Sequence, residues 1–218
     1  MKLILKNLIS PVNFLLIIIC ILFSTHLSAC STTISSPTPS TNIGDGGFLS
    51  GNPCSAPCFH NITPGVTTEK QALEILSLEL DIKNCDRWEK NNNGVNRGIS
   101  CSNIGITFDD SNLVNVVSFR PTQIITIGEV IKKYGNPDAI LVTSINPSNK
   151  QIGTVNMMVY YDSLNLNISL ADQNSGEFEL KPTTLIGNIG YSDQNSYKLK
   201  RRYFQKWNGY GLYKQFNP

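Results

Sequence analysis

Cys30 stands directly behind Leu27-Ser28-Ala29, at the end of an apolar N-terminal stretch. A thiol in that setting is placed for alkylation by lipid: small residues before the cysteine read as a lipobox, and Cys30 becomes the first residue after cleavage, carrying a diacylglycerol. Other reactive groups are scarce. His60 is the one histidine beyond the leader, and with Cys58 it forms a conceivable nucleophile–base pair. A Pro-Cys-Phe-His turn orients those two groups poorly, and a disulfide would consume the thiol. Asp109-Asp110 resembles half of a carboxylate pair, but the D-x-D-x-D-G spacing of a calcium loop is absent and a hairpin turn is the simpler reading. No G-x-S-x-G, phosphate-cradling glycine loop or H-E-x-x-H occurs.

The leader has the parts of an export signal. Lys2 and Lys6 form a positive start, and Phe14 to Phe23 is an unbroken apolar run of 10 residues, short of the roughly 20 that span a bilayer. Residues 1–29 therefore read as a lipoprotein signal peptide. Residues 30–52, rich in Ser, Thr, Pro, Gly and Asn, read as a flexible lipid-anchored tether, because so few apolar side chains cannot repay their own ordering. The location implied is the extracytoplasmic face of a cell membrane, inner or outer.

Beyond Cys20 in the leader and the acylated Cys30, four cysteines remain: Cys54, Cys58, Cys85 and Cys101. An even set in an exported domain reads as two disulfides, and three connectivities are open. Cys85–Cys101 with Cys54–Cys58 is favoured, since each closes a local loop holding turn-formers. The spacings lack paired C-x-x-C knuckles, so neither a zinc site nor any other metal or cofactor is expected.

Removing Lys2 and Lys6 lowers Lys+Arg from 18 to 16, equal to the 16 Asp+Glu. The balance hides a polarity. No acid follows Asp193, whereas Lys198, Lys200, Arg201, Arg202, Lys206 and Lys214 give the tail +6 and leave the body at −6. Tyr197, Tyr203, Phe204, Trp207, Tyr210, Tyr213 and Phe216 interleave with those cations. Such a segment either contacts anionic lipid or wall polymer, or its aromatics brace the fold while the cations reach solvent. Nucleic acid is not the expected partner.

Positioning falls to residues 53–218, an α+β domain. Thr68-Glu69-Lys70-Gln71 and Thr126-Ile127-Gly128-Glu129 are capping boxes opening two amphipathic helices, the second stopped by Gly135 and Pro137. Alternation predicts strands at 104–108, 113–119, 155–161 and 164–170, with turns at 109–112 and 162–163, and further strands at 139–145 and 178–180. The expected architecture is helices packed on one face of an antiparallel β-sheet, as a tandem helix-hairpin repeat. Its halves would be 53–120 and 121–190, followed by the basic aromatic tail 191–218.

Ile62-Thr63-Pro64-Gly65-Val66-Thr67-Thr68 before a helix, and Tyr134-Gly135-Asn136-Pro137 ending one, resemble the G-x-T … G-x-P signature of small outer-membrane assembly-factor lipoproteins and the tandem β-lactamase-inhibitor-like fold. Pro53-Cys54 to Gly65, with the ending Trp207 to Tyr213, also resembles uncharacterised bacterial lipoproteins carrying a Pro-Cys-Trp form of this motif. Phe59 replaces that tryptophan, and the first helix lacks the Gly-x-Pro stop. The resemblance implies a fold and a binding role, with no ligand residues to carry over. The overall expectation is a non-enzymatic envelope lipoprotein that docks a protein partner. The alternatives are an accessory protein using its tail on lipid or polymer, and a hydrolase with an unfamiliar site.

Overall fold

The computed structural model describes residues 43–79, 85–89, 97–145, 154–171, 178–200 and 204–214. All lie in the unit Pro39–Pro218. Helix α1 (Glu69–Glu79) precedes β1 (Asp86–Trp88), β2 (Gly98–Cys101), β3 (Ile104–Phe108) and β4 (Val114–Phe119). Helix α2 (Ile127–Tyr134) precedes β5 (Ala139–Ile145), β6 (Thr154–Tyr161), β7 (Leu166–Leu170), β8 (Phe178–Leu180) and β9 (Ile186–Ser192). Helix α3 (Gln194–Lys200), β10 (Gln205–Lys206) and β11 (Gly211–Tyr213) complete the chain. Among the described residues, nine strands form one antiparallel sheet in the order β1-β2-β3-β4-β9-β7-β6-β5-β10, and β11 pairs with β8 apart from it. The fold is a β-rich α+β arrangement.

Both capping boxes form. The Thr68 N–H donates to Gln71 Oε1 at 3.0 Å, and the Gln71 N–H donates to Thr68 Oγ1 at 3.3 Å. Thr126 and Glu129 repeat this exchange at 2.8 and 3.3 Å, and the bonds from Thr126 hold the Glu129 carboxyl below its ordinary range. Gly135, at φ +82°, ends α2 with its N–H on the Ile131 carbonyl.

Register explains the core. Ile104, Phe119, Ile189, Ile168, Val159 and Ile140 are successive cross-strand partners, and all six are buried. Because side chains alternate between faces, one row fixes one dry face. Ala72 and Leu76 of α1, and Ile127 and Val130 of α2, join the same cluster. Burying each such aliphatic side chain contributes about 1.5–3 kcal/mol relative to leaving it in water.

Two expectations need correction. Helix α3, read as basic tail, is not on the face of α1 and α2: its Tyr197 packs with Ala139 and Tyr160, which alternate with the core residues Ile140 and Val159. Residues 43–52, read as the end of a tether, are folded. Phe48 is fully buried, and the Asp45 carboxylate accepts N–H bonds from Gly47, Leu49 and Ser50 at 2.7–3.0 Å. Burial pushes that carboxyl up, but the hydrogen bonds outweigh it and hold it below its ordinary value. Gly47 sits at φ +88°, where a Cβ would lie 2.3 Å from the Cys54 carbonyl, so the glycines that suggested flexibility instead permit close packing. Tyr134 of α2 donates its hydroxyl to the Phe48 carbonyl and stacks on the Phe48 ring at 5.2 Å. The folded domain therefore begins by Ile43, not at residue 53.

The centre of the sheet holds a strand that alternation does not mark. β9 joins β4 to β7, yet its sequence, Ile186-Gly187-Asn188-Ile189-Gly190-Tyr191-Ser192, carries no clear alternation. Gly190 has a packing reason: a Cβ there would lie 2.6 Å from Asn167 Oδ1 on the neighbouring strand.

Candidate functional site

The face of the sheet opposite α1 and α2 has two halves. One register row crosses both: Ser100, Gly105, Ser118, Gly190, Asn167, Tyr160 and Ala139. At the β5–β6 end, α3 covers it. The Tyr160 ring lies 4.1 Å from that of Phe204 and 6.2 Å from that of Tyr197, centroid to centroid. Tyr197 donates its hydroxyl to Asp162 at 2.8 Å, and Asp193 caps α3 by accepting from Asn195 and Ser196. Burial raises the Tyr160 phenol to about 12.

The other half is a groove of about 1100 Å³. Its floor is Ser100, Gly105, Ser118, Asn188, Ser169 and Asn156, all at least partly exposed. Asn188 donates its amide to Ser118 Oγ at 2.6 Å, fixing two floor groups across β9 and β4. The wall is the segment from Arg120 to Ile125, which follows β4. It is held by Arg120 N–H to Asn103 O at 2.8 Å, Thr122 N–H to Gly44 O at 3.0 Å and Ile186 N–H to Ile125 O at 3.0 Å. On the lip, Ile124 is 82% and Leu185 44% exposed, large aliphatic surfaces left in water. Hydroxyls and amides dominate the lining, and among the described residues Arg120 supplies the one ionised group and no carboxylate or imidazole faces it. Such a surface can hold a ligand by hydrogen bonds and aliphatic contact, but offers no proton-transfer pair.

The residues singled out by sequence fall elsewhere. Cys54–Cys58 and Cys85–Cys101 are bonded, with S–S distances of 2.08 and 2.10 Å. The Cys58 thiol is therefore spent. His60 and Asn61, at φ +46° and +65°, are the central residues of a tight turn in which Phe59 and Ile62 exchange both backbone bonds. Asp109 accepts from the N–H groups of Ser111 and Leu113, both at 2.8 Å, as a hairpin-turn residue. Lys198 and Lys206 are exposed, on α3 and β10. Nothing is described for the Lys200 side chain, and Cys30, Arg201 and Arg202 lie outside the described residues. None of the described positions among these lines the groove. Of the tail aromatics, Tyr197 and Tyr213 are buried and Trp207 packs against the main core, so the tail does brace the fold.

On the opposite face, Tyr134, Tyr161 and Tyr191 form a phenol cluster. Burial pushes the Tyr134 hydroxyl up to about 12, with Asp45 adding to it, and raises Tyr161 and Tyr191 further. Tyr161 donates to the Gly135 carbonyl at 3.0 Å; the Tyr191 hydroxyl meets no hydrogen-bond partner among the described residues. No helix among the described residues is long and apolar enough to cross a membrane.

Sequence reasoning missed the groove because its floor comes from six strands. The small polar residues that compose it line up only once register is known. Comparison of the chain with protein-family models, curated proteins and solved structures returns no match.

Proposed function

We propose that this chain is a lipid-anchored, extracytoplasmic binding module, without catalytic activity, that docks an envelope protein in the open groove of its sheet. The observation that carries the reading is the groove itself: a hydroxyl- and amide-lined concavity with Arg120 in its wall and exposed Ile124 and Leu185 on its lip. Protein contact surfaces combine adaptable polar groups with a few aliphatic or aromatic anchors, and this surface has both. The anchoring part rests on the lipobox at Cys30 and the charged, apolar and small-residue order of the leader.

Site-specific photocrosslinking in cells tests the docking. A crosslinking side chain at Ile124 or Ser169 should yield one discrete adduct, and the same group at exposed Lys70 on α1 should not. Adducts from Lys70 alone would overturn the groove as the contact surface. Turnover of an envelope substrate, abolished by changing His60 or Asp109, would overturn the non-enzymatic reading. The anchor is tested by intact mass: a chain beginning at Cys30 with an added diacylglycerol is expected, and an unmodified chain retaining residues 1–29 would contradict it.

The fold reading extends to a tandem repeat, in a form adjusted from hairpin matching. α1 is followed by β1-β2-β3-β4 and α2 by β5-β6-β7-β9, each set of strands paired in succession. Thr68 bridges Leu113 just before β4, and Thr126 bridges Leu185 just before β9. β4 thus corresponds to β9, and the hairpin β3–β4 matches β7–β9, not β6–β7. If the units are equivalent, Thr68→Ala and Thr126→Ala should each cost about 1 kcal/mol in urea unfolding; a cost at only one site would count against equivalence.

A further inference from the structure

The end of the chain forms a closed, pre-shaped loop at 205–214. Gln205 donates its side-chain amide to the Lys214 carbonyl at 3.0 Å, which ties the two ends together. Inside, the Tyr213 hydroxyl accepts from the Asn208 N–H at 3.2 Å and donates to the Gly209 carbonyl at 2.6 Å. Gly209 and Gly211, at φ +91° and +135°, allow the tight path. Tyr213 is buried and Trp207 stacks against it at 6.2 Å, so the loop is fastened to the body through one side. Its other side faces water. Leu212 is 70% and Tyr210 43% exposed, with Lys206 and Lys214 exposed at the base. The nearest acid across the β8–β11 pair is Glu179, opposite Leu212, and it is already engaged by Lys181 at 2.6 Å.

A fold that buries Tyr213 and packs Trp207 against its core has no packing need to expose Leu212 and Tyr210 between two lysines. An aliphatic tip, a tyrosine and flanking ammonium groups are the chemistry that sits in the headgroup layer of an anionic bilayer. We propose that the loop 205–214 docks on an anionic membrane surface, inserting Leu212 and Tyr210 at headgroup depth while Lys206 and Lys214 pair with lipid phosphates. The charge of the chain agrees: no acid follows Asp193, and the segment before it is net acidic once the leader is removed. An anionic surface therefore attracts this end and repels the rest. The inference rests on the lipid anchor but not on the groove. From Cys30 to Ile43 the backbone reaches at most about 45 Å. That leash keeps the loop at high effective concentration near the bilayer, so a weak contact suffices to orient the domain.

Hydrogen exchange on the full chain, isolated from membranes and reconstituted into vesicles, tests this. Amides of 207–212 should gain protection in vesicles of phosphatidylcholine with phosphatidylglycerol, and not in phosphatidylcholine alone. Leu212→Asp should abolish the gain. Lys206→Gln with Lys214→Gln should lower it about thirtyfold, since each lysine near an anionic surface contributes about fivefold. Chain that floats with anionic vesicles without added protection would overturn the docking and leave the anchor intact. Protection that appears without vesicles and rises with protein concentration would overturn it in favour of self-association. Chain that does not float with either vesicle would overturn the anchor on which the proposal stands.

Discussion

The two halves of the outer sheet face share strands, register and twist, yet one is roofed and the other open. Ala139, Leu141, Met158 and Tyr160 project outward from β5 and β6, and Tyr197 and Phe204 cover them. Across β9, the outward positions are Ser100, Gly105, Ser118, Asn188 and Ser169, and no element of the described chain lies over them. Outward apolar residues must be covered, and outward polar ones resist burial without partners. The roof over one half therefore follows from four side chains. The open half carries polar side chains, which do not require such a cover.

Breaking the roofed half should have the largest effect. Tyr160→Ala removes a ring buried to 2% exposure and should cost about 3–5 kcal/mol in urea unfolding. Ser169→Ala on the open half should stay within about 0.5 kcal/mol. Equal costs would mean that the halves do not differ in the way described.

Alkaline pH separates the halves next. The Tyr160 phenol is raised by burial from its ordinary value of 10.0 to about 12. Its contribution is intact below pH 10 and is lost as pH rises through about 12, because the ionised phenolate cannot remain under Phe204 and Tyr197. The urea midpoint should fall over that window, and Tyr160→Phe should remove part of the fall. Since Tyr134 is held near the same value on the inner face, some of it should persist in the variant. An unchanged slope in Tyr160→Phe would contradict the burial described.

The smallest effect should come where the halves meet. Gly190 lies beneath Asn167, and a methyl group there must displace the Asn167 side chain. Gly190→Ala should cost about 1–3 kcal/mol through overpacking. A neutral substitution, measured the same way, would show that the seam can relax.

Much of this was legible in the sequence where short-range rules apply. The capping boxes at Thr68 and Thr126 form as read, because they depend on residues three apart. The strands from 104 to 119 and from 155 to 170 stand out because one face is dry and the other wet. Cysteine spacing pointed to the pairing that the structure contains. What was not legible depends on distant partners. Phe48 and Asp45 looked like spacer because their neighbours are Gly, Asp and Ser; distant partners, such as Tyr134, 86 positions from Phe48, and Thr122 on Gly44, make that segment part of the fold. β9 was hidden by Gly187 and Gly190, and the value of Gly190 lies in the Asn167 side chain that crosses above it. The groove could not be read at all, since Ser100, Ser118, Asn188 and Ser169 become neighbours through register alone.

The central claim is that the open half of the face is a contact surface, and filling it tests that most directly. A photocrosslinker at Ile124 should capture a discrete envelope protein in cells. Adding Ser118→Trp and Ser169→Trp should abolish the adduct, with the urea midpoint of the purified chain unchanged. An adduct that survives the filled groove at full yield, with the fold intact, would contradict the account.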